Sequence, residues 1–188
     1  MPGSGRTFRQ GLRTALLLAL LCLGPAVADE QSERRILVGL KLFPAVLAAD
    51  RDIALKAAPD GRLHLLVVYL EDPEVARRAA ERLREAGPIR DIPVVVQTIR
   101  YSALATLEHS PAALFLVEWS PESIPATVAF ANTHGRIVFS PFRGDVSLGA
   151  HAGVFVGDRI LPLINPTALS QAGIQLKPFF LEVARTRE

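Results

Sequence analysis

The chain has 188 residues, of which 49% are hydrophobic and 21% charged, with a formal net charge of +2. It has no clustered basic excess of the kind a nucleic-acid footprint needs. With one cysteine, Cys22, it can form no internal disulfide and no multi-thiolate metal site.

The first 28 residues stand apart. Arg6, Arg9 and Arg13 precede the apolar run "ALLLALLCLG", and "AVA" stands before Asp29. A positive start, a short apolar stretch and a small-x-small site form a secretory signal over residues 1–28, cleaved after Ala28. The run is shorter than the ~20 residues of a spanning helix, although an uncleaved N-terminal anchor remains the alternative. Leu21 stands before Cys22 where a lipobox wants a small residue, which argues against lipidation. All 19 acidic residues follow Ala28 and three of the 21 basic ones precede it, so residues 29–188 carry one net negative charge. About 160 residues remain, enough for a single α/β domain with a core that needs no staples. No later segment approaches a membrane span, and a periplasmic location is expected.

The elements follow in chain order. "SERRILVGLKLFPAVLAAD" sets Ile36, Leu40, Phe43 and Leu47 at helical spacing, and Pro44 is expected to bend or interrupt that helix near Phe43. "RLHLLVVYL" reads as a strand covered on both faces. "DPEVARRAAERLREAG" has Asp72 at the N-cap, Pro73 in the first turn and Gly87 past the end, the clearest helix in the chain. The pattern then repeats: "IPVVVQTI" as strand, "SALATLEH" as short helix, "AALFLVEW" as strand. "SPESIPATVAFANTHG" follows as a helix opened by Ser120-Pro121, and "RIVFS" as a strand. Short strands alternating with helices imply a parallel sheet with right-handed crossovers. "AGVFV" and "RILPLI" then flank Gly157-Asp158, a two-residue hairpin signal. Asn165 caps a helix that Gly173 ends, and a last helix begins at Pro178. The predicted fold is a three-layer α/β sandwich with a mostly parallel, Rossmann-like sheet, a C-terminal β-hairpin and terminal helices.

Catalytic signatures are missing. Glu71-Asp72-Pro73 follows the first strand where a phosphate loop would need glycines, and there is no Gly-x-Ser-x-Gly elbow. His64, His109, His134 and His151 form no i,i+4 metal pair and read as capping or hydrogen-bonded surface histidines. No catalytic residue, metal or cofactor is expected. Ligands of open α/β sheets bind outside the carboxyl ends of the strands. In this chain those ends supply Glu71 and Asp72, Arg100 and Tyr101, Glu118 and Trp119, and Ser140 with Arg143. An aromatic face, an acid and an arginine together could hold a small polar ligand. Equally, Trp119 could cover the sheet edge while Glu118 pairs with Arg100 or Arg143. In "KPFFLEV", Phe179 and Val183 lie at i,i+4. That face either docks on the chain's own core or stays open as a partner site.

The tail "LINPTALSQAGIQLKPFFLEVA" resembles the C-terminal pattern of the YfiR-like periplasmic proteins. The matching positions are Ile164, Asn165, Ala168, Gly173, Ile174, Leu176, Phe180, Leu181, Val183 and Ala184. "GLKLFPAVLAADRDI" looks like the family's upstream segment. The resemblance implies an exported, non-enzymatic regulator that modulates a membrane-bound signalling protein, such as a diguanylate cyclase or sensor kinase, by protein contact. A small-molecule binding protein serving a transporter or receptor is the alternative, and a homodimer is left open. Two departures stand out: residues 29–188 lack the disulfide cysteines of the family's best-known member, and Lys177-Pro178 stand where serines are usual.

Overall fold

The computed structural model describes residues 24–107, 109–118 and 120–187. The expected export signal lies outside the described residues over 1–23, and so does Trp119. Two compact units divide the chain, residues 1–34 and 35–188. Within the first, Arg34 bonds Glu30 at 2.6 Å. Every described strand belongs to the second.

Helix α1 spans Gly24–Ala49, and from Ile36 on it buries Ile36, Leu40, Phe43, Val46 and Leu47 along one stripe. Of the bend or interruption expected at Pro44, the interruption is corrected: the helix continues through it to Ala49. Proline inside a helix costs ~3 kcal/mol. Fully burying Phe43, Val46 and Leu47 on both sides of it offsets that cost, at ~1.5–3 kcal/mol for each side chain.

Strand β1 (Leu63–Tyr69) leads into helix α2 (Pro73–Glu85). The Asp72 carboxylate accepts N–H bonds from Glu74 and Val75 at 2.8 and 3.3 Å, as the cap motif requires. Strand β2 (Val94–Arg100) follows, then a 3-10 helix over Tyr101–Thr106 where a short helix is expected. Strand β3 (Ala113–Leu116), helix α3 (Ser123–Thr133) and strand β4 (Ile137–Ser140) complete the alternating part. Strands β5 (Ala152–Val156) and β6 (Ile160–Ile164) form the predicted antiparallel hairpin, but three residues, Gly157, Asp158 and Arg159, close it where a two-residue turn is expected. Helices α4 (Pro166–Gln171) and α5 (Pro178–Val183) end in a two-residue strand, β7 (Arg185–Thr186), that the sequence does not announce.

Among the described residues the seven strands form one sheet in the order β2-β1-β3-β4-β5-β6-β7. Every neighbouring pair is parallel except β5 with β6. The sheet is thus mostly parallel and covered on both faces, as expected. Alternation along each strand divides the core in two. Leu65, Val67, Phe115 and Phe139 face α1 and α2, while Leu66, Val68, Leu114, Leu116 and Val138 face α3 and the 3-10 segment. The rings of Phe43, Phe115 and Phe139 meet with centroids 5.3–5.6 Å apart. Gly39 makes room for this triangle, since a Cβ there would come within 2.9 Å of Pro141 and 3.1 Å of the Phe139 ring.

Two details satisfy backbone groups near the ends of the strand order. On β2, Arg84 of α2 donates to the Val96 carbonyl at 2.6 Å, occupying an acceptor that faces away from β1. On β6, the Ile164 carbonyl accepts from Arg187 N–H on the β7 side. Pro162, two residues earlier, points its backbone the same way, so its missing N–H is not one the β5 pairing needs.

Candidate functional site

Strand order reverses at β1: the chain crosses from β1 to β2 on one side and then to β3 on the other. The crevice at the carboxyl ends of β1 and β3 is therefore the topological switch point, where open α/β sheets hold ligands. Two residues past the last paired positions, Val68 and Leu116, the Glu118 side chain reaches the Leu70 backbone. Here the chain bends out of the sheet at Leu70 and Glu71, and three successive amides turn toward one point. The Glu118 carboxylate accepts from the N–H groups of Leu70, Glu71 and Asp72 at 2.6, 2.8 and 3.2 Å. Hydrogen bonds to a charged acceptor are the strong class.

Arg100 grips the same loop from the β2 side. Its Nε donates to the Leu70 carbonyl at 2.9 Å and its Nη2 to Glu71 at 3.3 Å. The expectation that Glu118 pairs with Arg100 or Arg143 is corrected. Glu118 and Arg100 hold opposite polar edges of one loop, amides on one side and carbonyl on the other, and do not bond each other. Arg143 is exposed in the β4–β5 loop and takes no part. Beside the clamp, Leu70, Glu71, Arg100, Tyr101 and Ser102 line an open depression of about 340 Å³. The structure thus gathers Glu71, Asp72, Arg100, Tyr101 and Glu118 at one end of the sheet. Phe179 lies elsewhere, and Trp119 falls outside the described residues.

The β4–β5 loop holds a buried polar group that sequence reasoning missed. Asp145 is fully buried; the Ser140 hydroxyl donates to its Oδ2, and its Oδ1 has no protein partner. Burial raises its pKa to about 6, against the lowering effect of the Ser140 bond. His151 is also fully buried, which corrects the surface reading. Its Nδ1 accepts from Val138 N–H at 3.0 Å, so Nε2 carries the proton and donates to Asn132 Oδ1 at 2.8 Å. Burial, then the Lys56 charge, lowers its pKa to about 4. His64 pairs with Asp60 at 2.8 Å and His134 bonds the Phe130 carbonyl at 2.8 Å, local roles of the expected kind. Among the described residues, no three His, Cys, Asp or Glu side chains group as ligands for a metal ion.

At the other end of the sequence, α4, the following loop, α5 and β7 enclose a groove of about 410 Å³ lined mostly by apolar side chains, Leu169, Ile174, Leu176 and Leu181 among them. Next to it α5 divides sharply: Phe180 is 6% exposed, while Phe179 and Val183 are 62% and 59% exposed. Val156 and Ile160, where the hairpin turns, are also exposed. The Arg185 guanidinium lies 5.7 Å from the Phe155 ring and ties β7 to that hairpin.

Together these features define an α/β domain with an open, mostly parallel sheet, helices on both faces and a switch point filled from within. No protein-family model matches the chain, and no curated relative does. Solved structures do. The fold is similar to that of a conserved domain protein from Vibrio cholerae, with a TM-score of 0.53 and 18% identity over 71% of this chain. It is also similar to the ABC domain from Streptococcus pneumoniae in complex with L-Trp, with a TM-score of 0.53 and 12% identity over 75%. A ligand-free, open substrate-binding protein with adhesive properties from Clostridium difficile gives a TM-score of 0.51 and 15% identity over 73%. The chain spans 57%, 60% and 58% of the lengths of these three structures.

Proposed function

We propose that the chain is a non-enzymatic binding protein of the periplasm that modulates a membrane-bound signalling protein, a diguanylate cyclase or sensor kinase, by direct contact. The observation that carries this reading is the C-terminal edge. Phe179 and Val183 stand exposed on one face of α5 beside the apolar groove. Exposed apolar side chains beside an apolar groove mark an interaction surface. The YfiR-like pattern of the tail supports the same reading, as does the absence of a catalytic signature in the sequence. Affinity capture from solubilised inner membranes, with and without crosslinking, is expected to recover a membrane-bound cyclase or kinase. Recovery of neither class under both conditions refutes the proposal.

A second reading, a small polar ligand, is favoured by one observation: Glu71, Arg100 and Tyr101 converge on the depression at the carboxyl end of the sheet. That one structural neighbour is a complex with L-Trp is compatible with it. A thermal-shift screen of amino acids, small acids and nucleotides tests it, and a flat profile removes it.

A further inference from the structure

We propose that Glu118 is an intramolecular latch: it occupies, in place of a free carboxylate, an anion receptor that the fold builds at its switch point. The inference goes beyond the small-ligand reading of this end of the sheet and does not depend on it: it names the class of anion the nest takes, a small carboxylate, and what keeps it out.

The receptor is complete in donors. Three consecutive amides, from Leu70, Glu71 and Asp72, converge on one carboxylate. These amides precede helix α2, and the first free amides of the helix itself are already taken by Asp72. The site is therefore a backbone nest of the kind that holds anions. The acids next door do not defeat it, because Asp72 is bound to the Glu74 and Val75 amides and Glu71 to Arg100. Arg100 also fixes the Leu70 carbonyl, so the nest keeps its shape when its occupant leaves. Among the described residues, the side chain that fills the nest is Glu118. The β1–β3 register delivers its carboxylate at a high effective concentration, which a free carboxylate at ordinary concentration cannot match. The crevice that other sheets of this class leave open is thus self-occupied.

The probe is acetate, compared with chloride at equal ionic strength and read by amide chemical shifts and thermal unfolding. In the unaltered chain the Leu70, Glu71 and Asp72 amides are expected to stay unmoved. In Glu118→Ala they are expected to shift saturably, with a melting temperature that acetate raises and chloride does not. Glu118→Gln, which keeps a neutral acceptor in place, is expected to remain silent. A folded Glu118→Ala chain that ignores acetate overturns the proposal, and so does an unaltered chain that responds as strongly as the variant. Hydrogen exchange on the unaltered chain covers the case in which Glu118→Ala does not fold. The Glu71 and Asp72 amides, although on exposed residues, are expected to exchange at least roughly tenfold more slowly than the exposed Ser102 amide. Equal rates overturn the latch. A flat ligand screen on the unaltered chain ends the small-ligand reading without touching the latch, which predicts that silence. A silent, folded Glu118→Ala chain ends the latch alone.

Discussion

At the scale of single residues, the two buried titratable groups pull stability in opposite directions as pH changes. The pKa of His151 falls from 6.5 to about 4 on folding. Between those values the unfolded chain binds a proton that the folded chain refuses, so acidification through that window costs roughly 3 kcal/mol. The pKa of Asp145 rises from 3.8 to about 6. Between those values the folded chain holds a proton that the unfolded chain releases, so the same acidification restores roughly 3 kcal/mol. The two contributions nearly cancel from about pH 6 to about pH 4. Asp145→Asn removes one of them. Urea midpoints at pH 7 and pH 4 are expected to show that variant losing roughly 3 kcal/mol more on acidification than the unaltered chain. Parallel profiles for the two chains contradict the assignment. Neither group is legible as buried in the sequence. Asp145 sits among turn-forming residues that read as exposed loop, and the burial of His151 follows from the tertiary pairing of β4 with β5. Glu118 is legible as a strand-end acid, but its true partners depend on strand register, which local pattern does not carry.

At the scale of elements, caps and strand cores are legible because their causes are local. Asp72 and Asn165 cap α2 and α4 as their sequences require, and the alternating strands fall near their expected places. Elements whose cause is tertiary are not legible: the passage of α1 through Pro44, and β7, which exists because β6 offers it an edge. Asn165 combines both kinds of cause. Its Oδ1 accepts from Ala168 N–H at 3.0 Å, capping α4, while its Nδ2 donates to the buried Val146 carbonyl at 2.9 Å. Asn165→Ala is expected to cost about 2–3 kcal/mol, about 1 for the cap and the rest for the unpaired carbonyl. Asn165→Ser, which can still cap but cannot reach Val146, is expected to fall between, and chemical denaturation separates the three chains. Gly153 answers a different demand. A Cβ there would stand 2.6 Å from the Ser140 carbonyl oxygen and 2.7 Å from Val146, at the point where β5 pairs with β4. Backbone cannot yield as a side-chain tip can, so Gly153→Ala is expected to cost at least about 2 kcal/mol. Thermal unfolding within 1 °C of the unaltered chain contradicts that expectation, since a loss of this size moves the midpoint by several degrees.

At the scale of the whole molecule, a core on both faces of one sheet accounts for the fold without staples, and the C-terminal segment completes one of its faces. Lys177 binds α5 to the end of α1, its N–H to the Ala49 carbonyl at 2.9 Å and its Nζ to the Ala48 carbonyl at 3.1 Å. That docking buries Phe180 and leaves Phe179 outside, so two adjacent phenylalanines serve different ends. Phe180→Ala empties a core position and is expected to cost about 3–5 kcal/mol. Phe179→Ser with Val183→Ser removes mostly exposed apolar surface, and its effect on stability is expected to stay within about 1 kcal/mol. If the edge is the partner surface, the second variant loses capture of the membrane protein while unfolding as the unaltered chain does. If both variants capture the partner fully, α5 closes the core and does nothing more, and the contact must lie on another face. Loss of stability in the double variant would instead place Phe179 within the core, against its exposure. Measuring melting and capture on the same preparations distinguishes these three outcomes, because only a binding surface gives unchanged unfolding together with lost capture.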